Sequence, residues 1–156
     1  MSRYLDDFTV GQIYRSSGSK RVTADEIRRF AREFDPQPFH LDEETARDTF
    51  FGGLAASGWH TAGLTMRLLV DSDFRAANGL IGAGFDELRW PHPVRPGDEL
   101  RVETEVLEVR ASKSRPDIGF VKFRMTTLNQ DGVVVQTGIC NLVVPVRAPG
   151  PNPSRS

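Results

Sequence analysis

The sequence predicts an α+β domain in which an antiparallel sheet wraps around one apolar helix. Two observations carry that expectation. From Ser57 to Asp71 the chain is apolar on nearly every helical face, the signature of a helix buried all round. After residue 97 the hydrophobic period changes from helical to alternating, in three long stretches, 98–110, 119–129 and 133–146. One buried helix followed by long antiparallel strands is most economically covered by curling the sheet around it.

The elements follow in order. Residues 23–34, TADEIRRFAREF, form the clearest helix: Thr23 and Glu26 are spaced as a capping box, and Ile27, Phe30, Ala31 and Phe34 share one face. Pro36 disfavours helix at Asp35, so the helix ends at Phe34 and a proline-stiffened loop follows. Residues 41–48 suit a short helix, and Gly52-Gly53 mark a loop before the central helix. Residues 84–94 read as a strand leading into the turn RPGD, 95–98, with Pro and Gly where a type II turn prefers them. Val102, Thr104 and Val106 share one strand face, and NQDG, 129–132, turns the last hairpin.

The chain is 156 residues long, one domain over 1–147 with a flexible Pro/Gly/Ser tail over 148–156. Its hydrophobic share of 38% and charged share of 26% are those of an ordinary globular protein. A formal net charge of -1 argues against the basic face that nucleic acid requires. No apolar run reaches membrane-span length, none at the N-terminus suits a signal peptide, and the single cysteine, Cys140, fits a reducing cytoplasmic home.

Two features could carry chemistry. In FDPQPFH, Asp35 and His40 set a carboxylate and an imidazole on a stiff loop, able to act on either side of one water. Alternatively Asp35 caps a turn and His40 is a half-buried loop residue. In SGWH, 57–60, the start of the central helix offers unpaired N–H groups and a glycine that lets a ligand oxygen approach, as an oxyanion site needs. Alternatively Ser57 is an N-cap and Gly58 a packing glycine. His60 and His92 match no metal-ligand spacing, so His60 reads as a buried or interface histidine and no metal is expected. Cys140 lacks any partner signal and reads as structural. The basic loop RASKSRPD, 110–117, with Lys113 and Arg115, is either solvated or a landing place for an anionic tail.

The stretch from Phe30 through FDPQPFH and FGGLAASGWHTAGL resembles the MaoC-like acyl dehydratases, the (R)-specific enoyl-CoA hydratases of hot-dog fold. In that family D-x-N-P-x-H precedes an apolar segment ending in a small residue or His, then Gly and a large apolar residue. Asp35, Pro38 and His40 match, and Gly58 stands at the family's backbone oxyanion donor. RPGDEL and the terminal hairpin also follow the pattern, so the resemblance spans residues 5–147. Gln37 departs from the usual Asn, and Ser57-Gly58-Trp59 from the more frequent His-Gly-Met. The hydroxyl that often supports the family's aspartate falls near Met66, a departure from the pattern, with Thr65 next to it and Thr61 one turn earlier.

The resemblance implies an enoyl-CoA hydratase, or 3-hydroxyacyl-CoA dehydratase in reverse. Asp35 and His40 activate one water, the Gly58 N–H steadies the enolate oxygen, and no cofactor or metal is needed. Gln37, Ser57, Trp59, Lys113 and Arg115 become candidate substrate contacts, with Trp59 lining the acyl pocket. The assembly implied is a homodimer or a dimer of such dimers. Two other readings share the fold. A thioesterase asks for a carboxylate on the central helix, which offers none between Ser57 and Asp71; a non-catalytic acyl-CoA binder has no use for the acid–base pair.

Overall fold

The computed structural model describes residues 2–148, so the expected tail lies outside the described residues apart from Ala148. After a turn of 3-10 helix at Leu5–Asp7 come β1 (Ile13–Arg15), β2 (Lys20–Arg21), α1 (Ala24–Phe34), α2 (Pro38–Leu41), α3 (Glu43–Arg47) and α4 (Gly58–Val70). The second half is β3 (Ile81–Arg89), β4 (Glu99–Ala111), β5 (Ile118–Leu128) and β6 (Val134–Pro145). The sheet runs β1-β4-β5-β6-β3, all antiparallel, with β2 adding to β4 beyond the end of β1. It curls around α4 in the hot-dog arrangement. Among the described residues no helix is long and apolar enough to cross a membrane.

Local chemistry accounts for the helix ends. Thr23 accepts the Glu26 N–H at 3.2 Å, one half of the expected capping box; the Glu26 carboxylate instead pairs with Lys20 at 3.4 Å. α1 stops at Phe34, as Pro36 requires. The short helix expected over 41–48 is α3, and a further helical turn, α2, precedes it in what reads as loop. Pro38 sits in the first turn of α2, where its missing N–H costs nothing. Asp42 ends that turn and caps α3, its carboxylate accepting the Thr45 N–H at 2.9 Å. His40 therefore stands on a helical turn rather than a loop.

The core lies between the concave face of the sheet and the helices. Leu68 and Leu69 of α4 and Ile27 of α1 meet Leu100, Val102, Val106, Val121, Phe123, Met125, Leu142 and Val144. Thr65 crosses from α4 to Thr127 of β5 at 2.7 Å, so that buried hydroxyl is spent on the sheet. The expected strand over 84–94 ends at Arg89, because Pro91 and Pro93 cannot donate to a ladder. One expectation fails: α4 is not buried all round. Trp59, Gly63, Met66 and Val70 form an exposed stripe beside β3, the edge strand, whose Ile81 and Phe85 are also exposed.

Candidate active site

The end of α1, the α2 turn and the start of α4 meet at one end of the sheet. Asp35 is the C-cap of α1 and sends its carboxylate toward the N-terminus of α4. There Oδ2 accepts the Ser57 hydroxyl at 2.7 Å, and Oδ1 accepts the Gln37 side-chain N–H. Ser57 occupies the N-cap position of α4 yet makes no side-chain cap bond; its buried hydroxyl is turned to Asp35 instead. The aspartate's supporting hydroxyl thus comes from Ser57, while Thr65 bonds Thr127 and the Thr61 carbonyl. Burial pushes the Asp35 carboxyl up, but the hydrogen bonds from Gln37 and Ser57, with His40 behind them, outweigh it and hold the group below the ordinary aspartate value.

His40 is buried, with Nδ1 at 2.6 Å from the Ala55 carbonyl. A carbonyl only accepts, so Nδ1 carries a proton and Nε2 is the ring nitrogen left to accept one. That atom lies 3.3 Å from Asp35 Oδ2. Two acceptors at this separation invite a group that donates to both, and water has the two O–H bonds required. Ala55 is itself fixed: its N–H donates to the Phe39 carbonyl at 3.0 Å, and the next N–H, of Ala56, to Val94 at 2.9 Å.

Gly58 begins α4 next to this pair. A cavity of about 310 Å³ is lined by His40, Gly58, Thr61, Phe51, Trp90 and neighbouring residues. A Cβ at Gly58 would meet the Trp90 ring at 2.7–2.9 Å, so the glycine is required for packing, and its N–H lies at the positive end of the α4 dipole. Trp90 is held in turn by its indole N–H, which donates to the buried Gln136 at 2.9 Å. A carboxylate and an imidazole within reach of each other, beside a cavity lined by a helix N-terminal glycine, can act on a proton next to a backbone donor.

Of the other candidates, Gln37 and Ser57 join Asp35, whereas Trp59 does not line the cavity: it is 63% exposed and packs edge-on against Trp90. Lys113 and Arg115 lie on the β4–β5 hairpin. Thr137, Thr126 and Glu103 are in register near the site, while Ala111, Gly119 and Val144 are in register at the hairpin. The eight steps from Glu103 to Ala111 span about 26 Å, so one chain does not bring these cations to its own Asp35. His60 is buried and stacked on Phe30 at 4.8 Å, and burial depresses its pKa. Cys140 is buried, its thiol pushed up to about 12. Among the described residues no group of three or more His, Cys, Asp or Glu stands together.

Two site supports escaped the sequence reading. Arg95 donates to the Gly53 carbonyl at 2.9 Å, to Leu54 at 3.3 Å and to Phe51, while the Glu43 carboxylate accepts the Leu54 N–H at 3.0 Å. Together they clamp the loop that leads into Ala55. Arg95 stands in the RPGD turn and Glu43 in a charged helix start, so local pattern gave each a surface role. The other support is Trp90, whose aromatic ring before a Pro-rich strip was the available signal.

The family description "MaoC like domain" matches residues 7–123. A solved MaoC-like dehydratase from Rhodospirillum rubrum superposes with a TM-score of 0.90 at 57% sequence identity, over 95% of this chain and 100% of that one. The (R)-specific enoyl-CoA hydratase of Rhodospirillum rubrum is 31% identical over 149 residues, covering 92% of this chain and 93% of its own. The uncharacterized protein YdeM of Bacillus subtilis is 34% identical over 140 residues, covering 90% and 97%.

Proposed function

This chain belongs to the MaoC-like dehydratase family, and from that premise we propose that it is an (R)-specific enoyl-CoA hydratase, run in reverse as a 3-hydroxyacyl-CoA dehydratase. The observation that carries the proposal is the pair of acceptors, Asp35 Oδ2 and His40 Nε2, 3.3 Å apart beside the cavity that Gly58 also lines.

A water between the two acceptors donates to both. Asp35, held ionised by Gln37 and Ser57, keeps a proton poorly, so it orients the water and balances charge while His40 Nε2 takes the proton. The water oxygen bonds to C3 of the trans-2-enoyl thioester, and the C2=C3 electron pair moves onto the thioester oxygen as an enolate. We assign stabilisation of that charge to the Gly58 N–H, in the first turn of α4, and to the helix dipole. The enolate collapses, C2 takes the proton back from His40 on the same face, and the pair ends as it began. One O–H and one C=C π bond are exchanged for a C–O and a C–H bond. Neither redox chemistry nor a cofactor enters the scheme.

We place the enzyme in the cytoplasm as a homodimer, or a dimer of such dimers. Support for pairing is the exposed apolar stripe of α4 beside the open edge of β3, surface that a second copy would remove from water. Hydration is tested by loss of the enoyl-thioester absorbance with trans-crotonyl-CoA, followed by chiral analysis of the product. Turnover giving the (R)-alcohol supports the proposal. A chain that binds acyl-CoA without turning over any chain length is a binding module, and one that releases free thiol is a thioesterase.

A further inference from the structure

The cavity has a second imidazole that the proposed chemistry does not use. His92 lines the same cavity as His40 and Gly58, in the strip from Trp90 to Val94. Pro91 and Pro93 flank it and restrict the backbone on both sides. The strip is tied to the start of β6 twice, by the Trp90 indole on Gln136 and by His92 Nδ1, 3.0 Å from the Val134 carbonyl. As at His40, a carbonyl partner puts a proton on Nδ1, which leaves Nε2 as the ring nitrogen able to accept. The two histidines differ in what stands beside that nitrogen: His40 has Asp35 at 3.3 Å, whereas the hydrogen bond of the His92 ring is the one to Val134.

His92 is exposed, as is Phe50, at 99%, on the same cavity. These residues mark the mouth. A volume of about 310 Å³ holds a short acyl thioester and not its carrier, so the carrier arm leaves past them. Whether the carrier is coenzyme A or a protein, that arm is the same chemistry: two methylenes beyond the sulfur comes an amide, its N–H about 4 Å from the sulfur. Phe50 has no polar atom to offer it. We propose that His92 Nε2 accepts a hydrogen bond from this amide N–H and so selects pantetheine-type thioesters. The proposal rests on the acyl-thioester reading above.

The test compares two crotonyl thioesters, one of N-acetylcysteamine and one of 2-acetoxyethanethiol, in which an ester oxygen replaces the N–H and nothing else changes. The full chain is expected to favour the amide about five- to tenfold in kcat/KM, the size of one hydrogen bond. In His92→Leu that ratio falls toward one, and His92→Gln, whose side-chain carbonyl also accepts, keeps part of it. A ratio that stays unchanged in His92→Leu overturns the proposal, as does a wild-type ratio of one. Because the readout is a ratio within each variant, a partly unfolded preparation does not imitate the result. Calorimetric binding of the two saturated butyryl thioesters separates the two ideas: a His92-dependent amide preference in a chain that hydrates neither crotonyl compound keeps His92 and rejects the hydratase.

Discussion

Asp35 and Asp117 stand at opposite ends of the sheet, and both are held below the ordinary aspartate value by different means. At the β4–β5 hairpin the Arg115 guanidinium does it, with two contacts to Asp117 at 3.1 and 2.5 Å in open solvent. The two charges cancel, and both oxygens are occupied. At Asp35 burial works against the charge, and two neutral donors, Gln37 and Ser57, overcome it. The carboxylate stays ionised without being neutralised, and Oδ2 still faces His40. A lowered aspartate pKa is thus no mark of function by itself. Asp35 differs in that its hydrogen-bond donors are neutral side chains and it is partly sheltered from water.

The comparison breaks most sharply at the pair itself. Asp35→Asn and His40→Gln should each lower kcat about a hundred- to ten-thousand-fold with the fold intact by circular dichroism, while Asp117→Asn leaves kcat alone. A deep loss in Asp117→Asn would erase the distinction. Gly58→Ala comes next. Its Cβ would lie 2.7–2.9 Å from a Trp90 ring that Gln136 holds in place. It should cost about 1–3 kcal/mol in urea denaturation and about a hundredfold in kcat. Adding Trp90→Leu should restore stability.

Ser57→Ala sharpens the comparison, because it removes one neutral donor and leaves the charge. A hydrogen bond to a charged group is worth about 1.5–3 kcal/mol, so kcat should fall about ten- to a hundredfold. The Asp35 carboxyl moves up with it, and the acid limb of the pH–rate profile shifts to higher pH, which a purely structural cap would not cause. Thermal denaturation against pH reads the same group. The folded chain holds Asp35 below its unfolded value of about 3.9, so its contribution is complete above that value and is lost as pH falls through the folded one. Asp35→Asn should therefore flatten the acid side of the stability curve. The smallest effect belongs to the hairpin: Lys113→Ala and Arg115→Ala together should change KM for crotonyl-CoA by less than about threefold, the scale of screened surface charges.

Much of the fold was legible because its signals are local. The alternation of β4, β5 and β6 and the end of α1 at Phe34 follow from side-chain period and proline geometry. β1 and β2, three and two residues long, carry no readable period and exist through pairing with β4. α3 falls within the expected 41–48, whereas α2 lies in what reads as loop; Asp42 separates the two as C-cap of one and N-cap of the other. At the site, Asp35 and His40, five positions apart, and Gly58, eighteen beyond, are singled out together through the resemblance to the family motif, since each pattern alone is weak. Ser57 reads only as a candidate substrate contact or an N-cap; its bond to Asp35 is not readable, since a serine bonded to a residue 22 positions away looks like any other in sequence.

The sequence by itself determined the element types, the break between α1 and the central helix, and the residues able to bear a proton or a developing charge. These depend on backbone torsions, period and side-chain chemistry, which act within a few residues. Only the tertiary structure decided which hydroxyl supports Asp35, which carbonyl fixes the His40 tautomer, which ring closes over Gly58, and which face of α4 stays exposed. Each of those is a contact between segments distant along the chain, and its geometry exists only once the sheet has curled around the helix.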